Sequence, residues 1–142
     1  MRIMAIDYGD ARTGIAISDP TGFLTGFSTV ISARKAEAVA DAIAELIQSH
    51  QVTELVLGYP KNMNNTVGPR AERSAAFAAL LTERTGLTVH LWDERLTTVD
   101  SHRILTETGR HGQKRKDRVD AVAASLILEG YLAFRRRQTD TM

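Results

Sequence analysis

Of the 17 acidic residues in this 142-residue chain, a few stand where strand or turn chemistry alone accounts for them poorly. Asp7 closes the apolar run "RIMAI", and an acid finishing an apolar strand is poor strand chemistry. Asp10 and Asp19 follow within 12 residues, but each lies in a segment where aspartate commonly bonds local backbone, beside Gly9 and before Pro20 respectively. Asp93 and Glu94 come straight after a second apolar run, in "WDERLTT". Asp117 and Asp120 sit in "KDRVDAVAAS", where acids in a first helical turn also favour the helix dipole. If Asp7, Glu94 and Asp120 converge, they need a counter-charge. Two carboxylates about 4 Å apart repel by roughly 4 kcal/mol at an effective dielectric of 20. Hard oxygen donors without histidine or cysteine select Mg²⁺ or Mn²⁺. Such sites cleave phosphodiesters by activating water and steadying the leaving oxygen.

The elements that would position these acids are legible from hydrophobic period. "RIMAI" (2–6) and "TGIAIS" (13–18) read as strands joined by a hairpin with Gly9 in its turn, and "GFSTVI" (26–31) as a third strand. From Ser32 a helical face follows: Ala36, Val39, Ala40, Ile43, Leu46 and Ile47. "ELVLGYP" (54–60) has the continuous apolar character of a strand buried on both faces. Gly68-Pro69 opens a second helix with a face of Ala76, Phe77, Leu80 and Leu81 and a cap at Gly86. "LTVHLW" (87–92) is a fifth strand. Thr97 or Thr98 should cap a short helix to about Thr108, and "GRHGQKRK" (109–116) reads as a mobile loop. The last helix is expected from Asp117, with a disordered tail at 139–142 and one domain over 1–138. Strands alternating with helices imply an α/β fold: a mixed five-stranded sheet with helices on both faces. Its ligand crevice lies beyond the carboxyl ends of the parallel strands, where Asp7 and Glu94 fall.

Composition narrows the class. With 43% apolar and 25% charged residues the chain is ordinary globular protein, and with no cysteine it has neither disulfides nor thiolate metal sites. No apolar run approaches the roughly 20 residues of a membrane span, and the N-terminus is too short in its apolar part for a signal peptide, so a cytoplasmic protein without membrane partners is expected. The net charge of +1 hides an asymmetry: residues 1–100 hold 9 basic and 12 acidic residues, residues 101–142 hold 9 and 5. The basic excess, including Lys114, Arg115 and Lys116, suits a polyanion. Arg12 leaves the hairpin at the same tip as Asp7, and Lys61, Asn62 and Asn64 follow the fourth strand at the crevice mouth. All four are candidates to hold a nucleic-acid backbone.

The segments "IDYGDARTGIAISD", "GYPKNMNNTVGPRAE", "DERLTT" and "DAVAASLIL" together resemble the successive motifs of the YqgF family, Holliday-junction-resolvase-like proteins also described as pre-16S rRNA nucleases. The resemblance covers nearly the whole chain. Asn65 stands where the family usually has glycine, a position asparagine tolerates. The resemblance implies a ribonuclease-H-like fold and a metal-dependent phosphodiesterase whose catalytic and metal-holding acids are Asp7, Glu94 and Asp120. It further implies a nucleic-acid partner, either an rRNA precursor or branched DNA, and a monomer or homodimer. Two rivals stand beside it. A nucleotide-binding ATPase would need a second phosphate hairpin and a second lobe. A non-catalytic nucleic-acid-binding module would not require the three acids.

Overall fold

The computed structural model describes residues 2–59, 68–93 and 112–140, with the side chains of the last helix described over 121–137. Five strands form one sheet: β1 (Arg2–Asp7), β2 (Arg12–Ser18), β3 (Thr25–Ser32), β4 (Val52–Tyr59) and β5 (Val89–Asp93). Helices α1 (Ala36–His50) and α2 (Pro69–Thr85) flank β4 in sequence, and α3 (Gly112–Asp140) ends the chain. The sheet order is β3-β2-β1-β4-β5. β1 runs antiparallel to β2 and parallel to β4, and β4 runs parallel to β5. The carboxyl ends of β1, β4 and β5 therefore share one edge of the sheet.

Strand alternation divides the core into two layers. Met4 and Ile6 of β1, Ile15 and Ile17 of β2, and Leu55 and Leu57 of β4 pack with Val39, Ala40 and Ile43 of α1 and Phe77 and Leu81 of α2. The opposite face presents Ile3, Ala5, Ala16 and Val56 to Ala124, Ile127, Leu128, Tyr131 and Leu132 of α3. Alanines on both sides let α3 lie close to the sheet. Gly130 makes the same allowance for β5, since a Cβ there would come 3.3 Å from the Trp92 ring.

The strands and first two helices lie where their periodicity predicts. α3 differs at both ends. It begins at Gly112, inside the segment 109–116 expected as a loop and ahead of the start expected at Asp117, and it runs to Asp140, through half of the expected tail 139–142. Residues 113–116 are Gln, Lys, Arg and Lys, all good helix formers, so a run with nothing to bury still extends a helix nucleated by the packed turns beyond it. Arg135, Arg136 and Arg137 extend the other end in the same way. The helix expected between Thr97 and Thr108 lies outside the described residues.

Candidate active site at the carboxyl ends of the strands

Asp7 is the last residue of the central strand, half-buried, on the α3 face of the sheet with Ile3 and Ala5. Its cross-strand neighbour on β2 is Gly14, which has no side chain. On the β4 side the paired register ends at Ile6↔Leu57, one residue short of Asp7 and Gly58, and Gly58 follows Val56 on the same face. The carboxylate is thus bordered by backbone rather than by packed side chains. Sequence reasoning passed over both glycines, although a glycine inside an apolar strand is itself a sign that something approaches closely. Among the described residues, no side chain or backbone N–H donates to the Asp7 carboxylate, and no group of three or more acids or histidines is clustered.

The hairpin after Asp7 is tight. A Cβ on Gly9 would meet the Arg12 carbonyl oxygen at 2.3 Å, so the chain closes there only with glycine. Tyr8 alternates to the other face and stacks on Phe77, rings parallel with centroids 4.0 Å apart. Burial pushes its phenol above the ordinary value, against the lowering pull of Arg73. Asp19 is the local acid its position suggests, whereas the partner of Asp10 lies outside its hairpin. Asp10 pairs with Arg73 of α2. Asp19 accepts from the Thr21 hydroxyl (2.8 Å) and the Gly22 and Phe23 N–H groups (2.9 and 3.2 Å).

The orientation of α3 brings its first half to the same edge. Near its far end the Tyr131 hydroxyl donates to Glu54 (2.5 Å), and Glu54 is in register with Ile3 at the opposite end of β1. Asp120 lies eleven residues earlier, about 16 Å back along the helix at 1.5 Å per residue. Asp7 lies four residues after Ile3, about 13 Å along the strand. Counted from the Tyr131–Glu54 bond, the two separations are of similar length along helix and strand. Position 120 also falls on the stripe 120–124–127–131, whose later members Ala124, Ile127 and Tyr131 pack on the sheet.

Of the other expected contacts, Arg12 opens β2 at this edge. Lys114, Arg115 and Lys116 lie in the first two turns of α3, at the end nearer Asp7. Glu94 follows β5 directly and, like Lys61, Asn62, Asn64 and Thr97, lies outside the described residues. His90 is half-exposed on β5 and faces Glu54 (3.2 Å).

Comparison with known proteins fits this arrangement. Residues 1–134 match the family model "RuvX: Holliday junction resolvase". Two proteins named "Putative pre-16S rRNA nuclease" are similar over 93% of the chain: that of Ruminiclostridium cellulolyticum at 44% identity, covering 94% of its length, and that of Listeria monocytogenes serotype 4b at 46%, covering 97%. Among solved structures, T. thermophilus RuvC in complex with a Holliday junction substrate superposes with a TM-score of 0.63 over 96% of both chains, at 9% identity. That likeness establishes the ribonuclease-H-like fold. With a family model spanning 134 residues and relatives at such identity over nearly their whole length, the chain belongs to the RuvX family, the YqgF proteins its motifs resemble.

Proposed function

We propose that the protein is a cytoplasmic, divalent-metal-dependent nuclease that hydrolyses phosphodiester bonds in structured nucleic acid, with rRNA precursor as its substrate. The observation that carries this reading is Asp7: a half-buried carboxylate ending the central strand beside Gly14, on the face of the sheet covered by the helix that carries Asp120. Glu94 supplies the third acid.

Three carboxylates are a donor set that fits a hard cation, Mg²⁺ or Mn²⁺, held by Asp7, Glu94 and Asp120. When bound, that cation lowers the pKa of a coordinated water and offsets charge on the scissile phosphate. The chain's own contribution is placement. The strand end fixes Asp7, the two glycine positions leave room for a phosphodiester beside it, and Arg12, Lys61, Asn62, Asn64, Lys114, Arg115 and Lys116 bind the flanking backbone. These basic and amide groups orient the strand without reading its sequence.

The test is cleavage of precursor rRNA and of a matched four-way DNA junction by purified protein, with Mg²⁺ or Mn²⁺ and with chelator, and with Asp7→Asn alongside. Metal-dependent cleavage of the precursor, lost in the variant, is expected. Equal cleavage by a well-folded Asp7→Asn protein would defeat the assignment. Branched-DNA resolution is the second reading, favoured by the description of the family model. It predicts paired symmetric cuts in the junction and a stable dimer. Binding of either substrate without cleavage under any metal would point to the non-catalytic module.

A further inference from the structure

On the other side of the hairpin from Asp7, a cavity of about 140 Å³ is lined by Tyr8, Gly9, Asp10, Arg70, Arg73 and Ser74. Its size corresponds to roughly four or five waters at about 30 Å³ each. That is room for one tetrahedral anion and too little for a nucleoside. Its floor is the first turn of α2. Gly68 caps that helix without a side-chain hydrogen bond, Pro69 has no N–H, and the first intrahelical bond runs from the Glu72 N–H to the Gly68 carbonyl (3.0 Å). The N–H groups of Arg70 and Ala71 thus have no intrahelical acceptor and carry the positive end of the helix dipole.

Ser74 gives the cavity its second, independent mark. It is 3% exposed, lines the cavity, and among the described residues has no hydrogen-bond partner. Other hydroxyls of α2 turn back onto the helix: Thr82 donates to the Ala78 carbonyl (3.0 Å) and Thr85 to that of Leu81 (2.7 Å). Ser74 keeps its hydroxyl for the cavity. Two guanidinium groups stand around it, Arg70 and Arg73, against one acid, Asp10. Glu72, the acid of the first turn, is exposed and does not line it. The Arg73–Asp10 pair is more than half exposed on both sides (55% and 67%), so its strength is small and Arg73 can exchange Asp10 for a stronger anion. Asp10 occupies the place such an anion would take.

We propose that this cavity binds one phosphoryl group of the nucleic-acid substrate, through the Ser74 hydroxyl, Arg70, Arg73 and the first N–H groups of α2. This rests on the nuclease reading for the identity of the ligand, but not for the site itself. The phosphoryl group is either an internal phosphodiester next to the one cut or a terminal phosphate. In both cases the cavity sets how far from a fixed point on the strand the Asp7 site falls.

The first arm of the test uses inorganic phosphate alone, without metal, and follows the backbone amides of the full chain by NMR. The amides of residues 9–10 and 70–74 should shift saturably. Arg70→Ala and Ser74→Ala should each weaken binding, the former about tenfold, as expected for a charge-assisted hydrogen bond. Asp10→Asn should tighten it by about two- to fivefold, a gain that misfolding cannot produce. Arg84→Ala, at the far end of α2, where the guanidinium pairs with Asp41 of α1, should leave it unchanged. The second arm measures binding of an RNA with and without a 5′-phosphate, in chelator. If Arg70→Ala weakens only the phosphorylated RNA, the source is terminal. If it weakens both equally and lowers the salt slope by about one, the source is internal. Phosphate that shifts none of these amides, or an Asp10→Asn variant that binds no tighter, overturns the proposal while leaving the nuclease reading intact. Metal-independent or absent cleavage overturns that reading and leaves the phosphate titration standing.

Discussion

Two carboxylates lie at opposite ends of the parallel strands, facing the same helix, and they are treated in opposite ways. Glu54, near the start of β4, has 17% of its side chain exposed and is surrounded by donors. The Tyr131 hydroxyl lies at 2.5 Å, an Arg135 Nη1 at 3.1 Å and the His90 imidazole at 3.2 Å. Burial, followed by the hydrogen bond to Glu54, drives the Tyr131 phenol well above its ordinary value, so it remains a donor across the physiological range. Asp7, at the far end of β1, has Gly14 for a neighbour and no donor among the described residues. A satisfied acid ties helix to sheet; an acid with no donor among the described residues is what the proposed metal site requires at a strand tip. The difference sets the structural carboxylate apart from the proposed catalytic one by surroundings, without reference to residue type.

The largest expected effect breaks the member proposed to be catalytic. Asp7→Asn keeps the side-chain volume and removes a charged ligand, so cleavage should fall by at least ~100-fold, since even outer-shell groups at metal sites can be worth that much. Thermal stability without metal should hardly change. Mg²⁺ should raise the Tm of the unaltered protein and not that of the variant, because only a ligand bound to the folded state stabilises it. A drop in metal-free Tm comparable to that of a core variant would mean Asp7 is structural after all.

Glu54→Ala should do the reverse. It strands the Tyr131 hydroxyl and releases Arg135 and His90, costing about 1–3 kcal/mol of unfolding free energy. At roughly 3–4 °C per kcal/mol for a chain of this length, urea and thermal melts would resolve it. Specific activity per folded molecule should stay near that of the unaltered protein. Tyr131→Phe, which removes one donor and leaves Arg135 and His90 in place, should cost less, about 0.5–1.5 kcal/mol by the same melts. Equal losses in the two variants would place the whole contribution in the Tyr131–Glu54 bond.

The two carboxylates were not equally legible. Asp7 could be picked out because an acid finishing an apolar strand conflicts with strand chemistry locally, within five residues. Glu54 could not: its donors lie 77 and 81 residues away in Tyr131 and Arg135, and nothing near "VTELVL" announces them. The strands and the first two helices were legible for the same reason as Asp7, since period and caps are local. The start of α3 was not. The run Lys114–Lys116 offers no apolar side chain for a core, and its helicity is inherited from the turns that pack Ala124 and Ile127 on the sheet. Glu94 and Asp120 were ambiguous from their own neighbourhoods, as turn or capping residues, and only the ordered motifs of the family singled them out.

The smallest expected effect sharpens the comparison with a third acid. Asp19 has partners, as Glu54 does, but they are the Thr21 hydroxyl and the backbone N–H groups of its own turn, and it is only half-buried. The Thr21 hydrogen bond, chiefly, with those of Phe23, Leu24 and Gly22, holds its carboxyl below the usual value of 3.8. A carboxyl whose folded pKa lies below its unfolded pKa stabilises the fold above the unfolded value and loses that contribution as pH falls through the folded one. Protonation should therefore loosen the turn only below about pH 4. The Gly22 and Phe23 amides should show it, as extra hydrogen exchange beyond the intrinsic pH trend, while the global melt barely moves. Asp19→Asn should remove that pH dependence. If the turn opens instead near neutral pH, or the whole protein melts with it, the bonds around Asp19 couple to the core as those around Glu54 do, and number of partners alone would not distinguish a local acid from one that ties the fold.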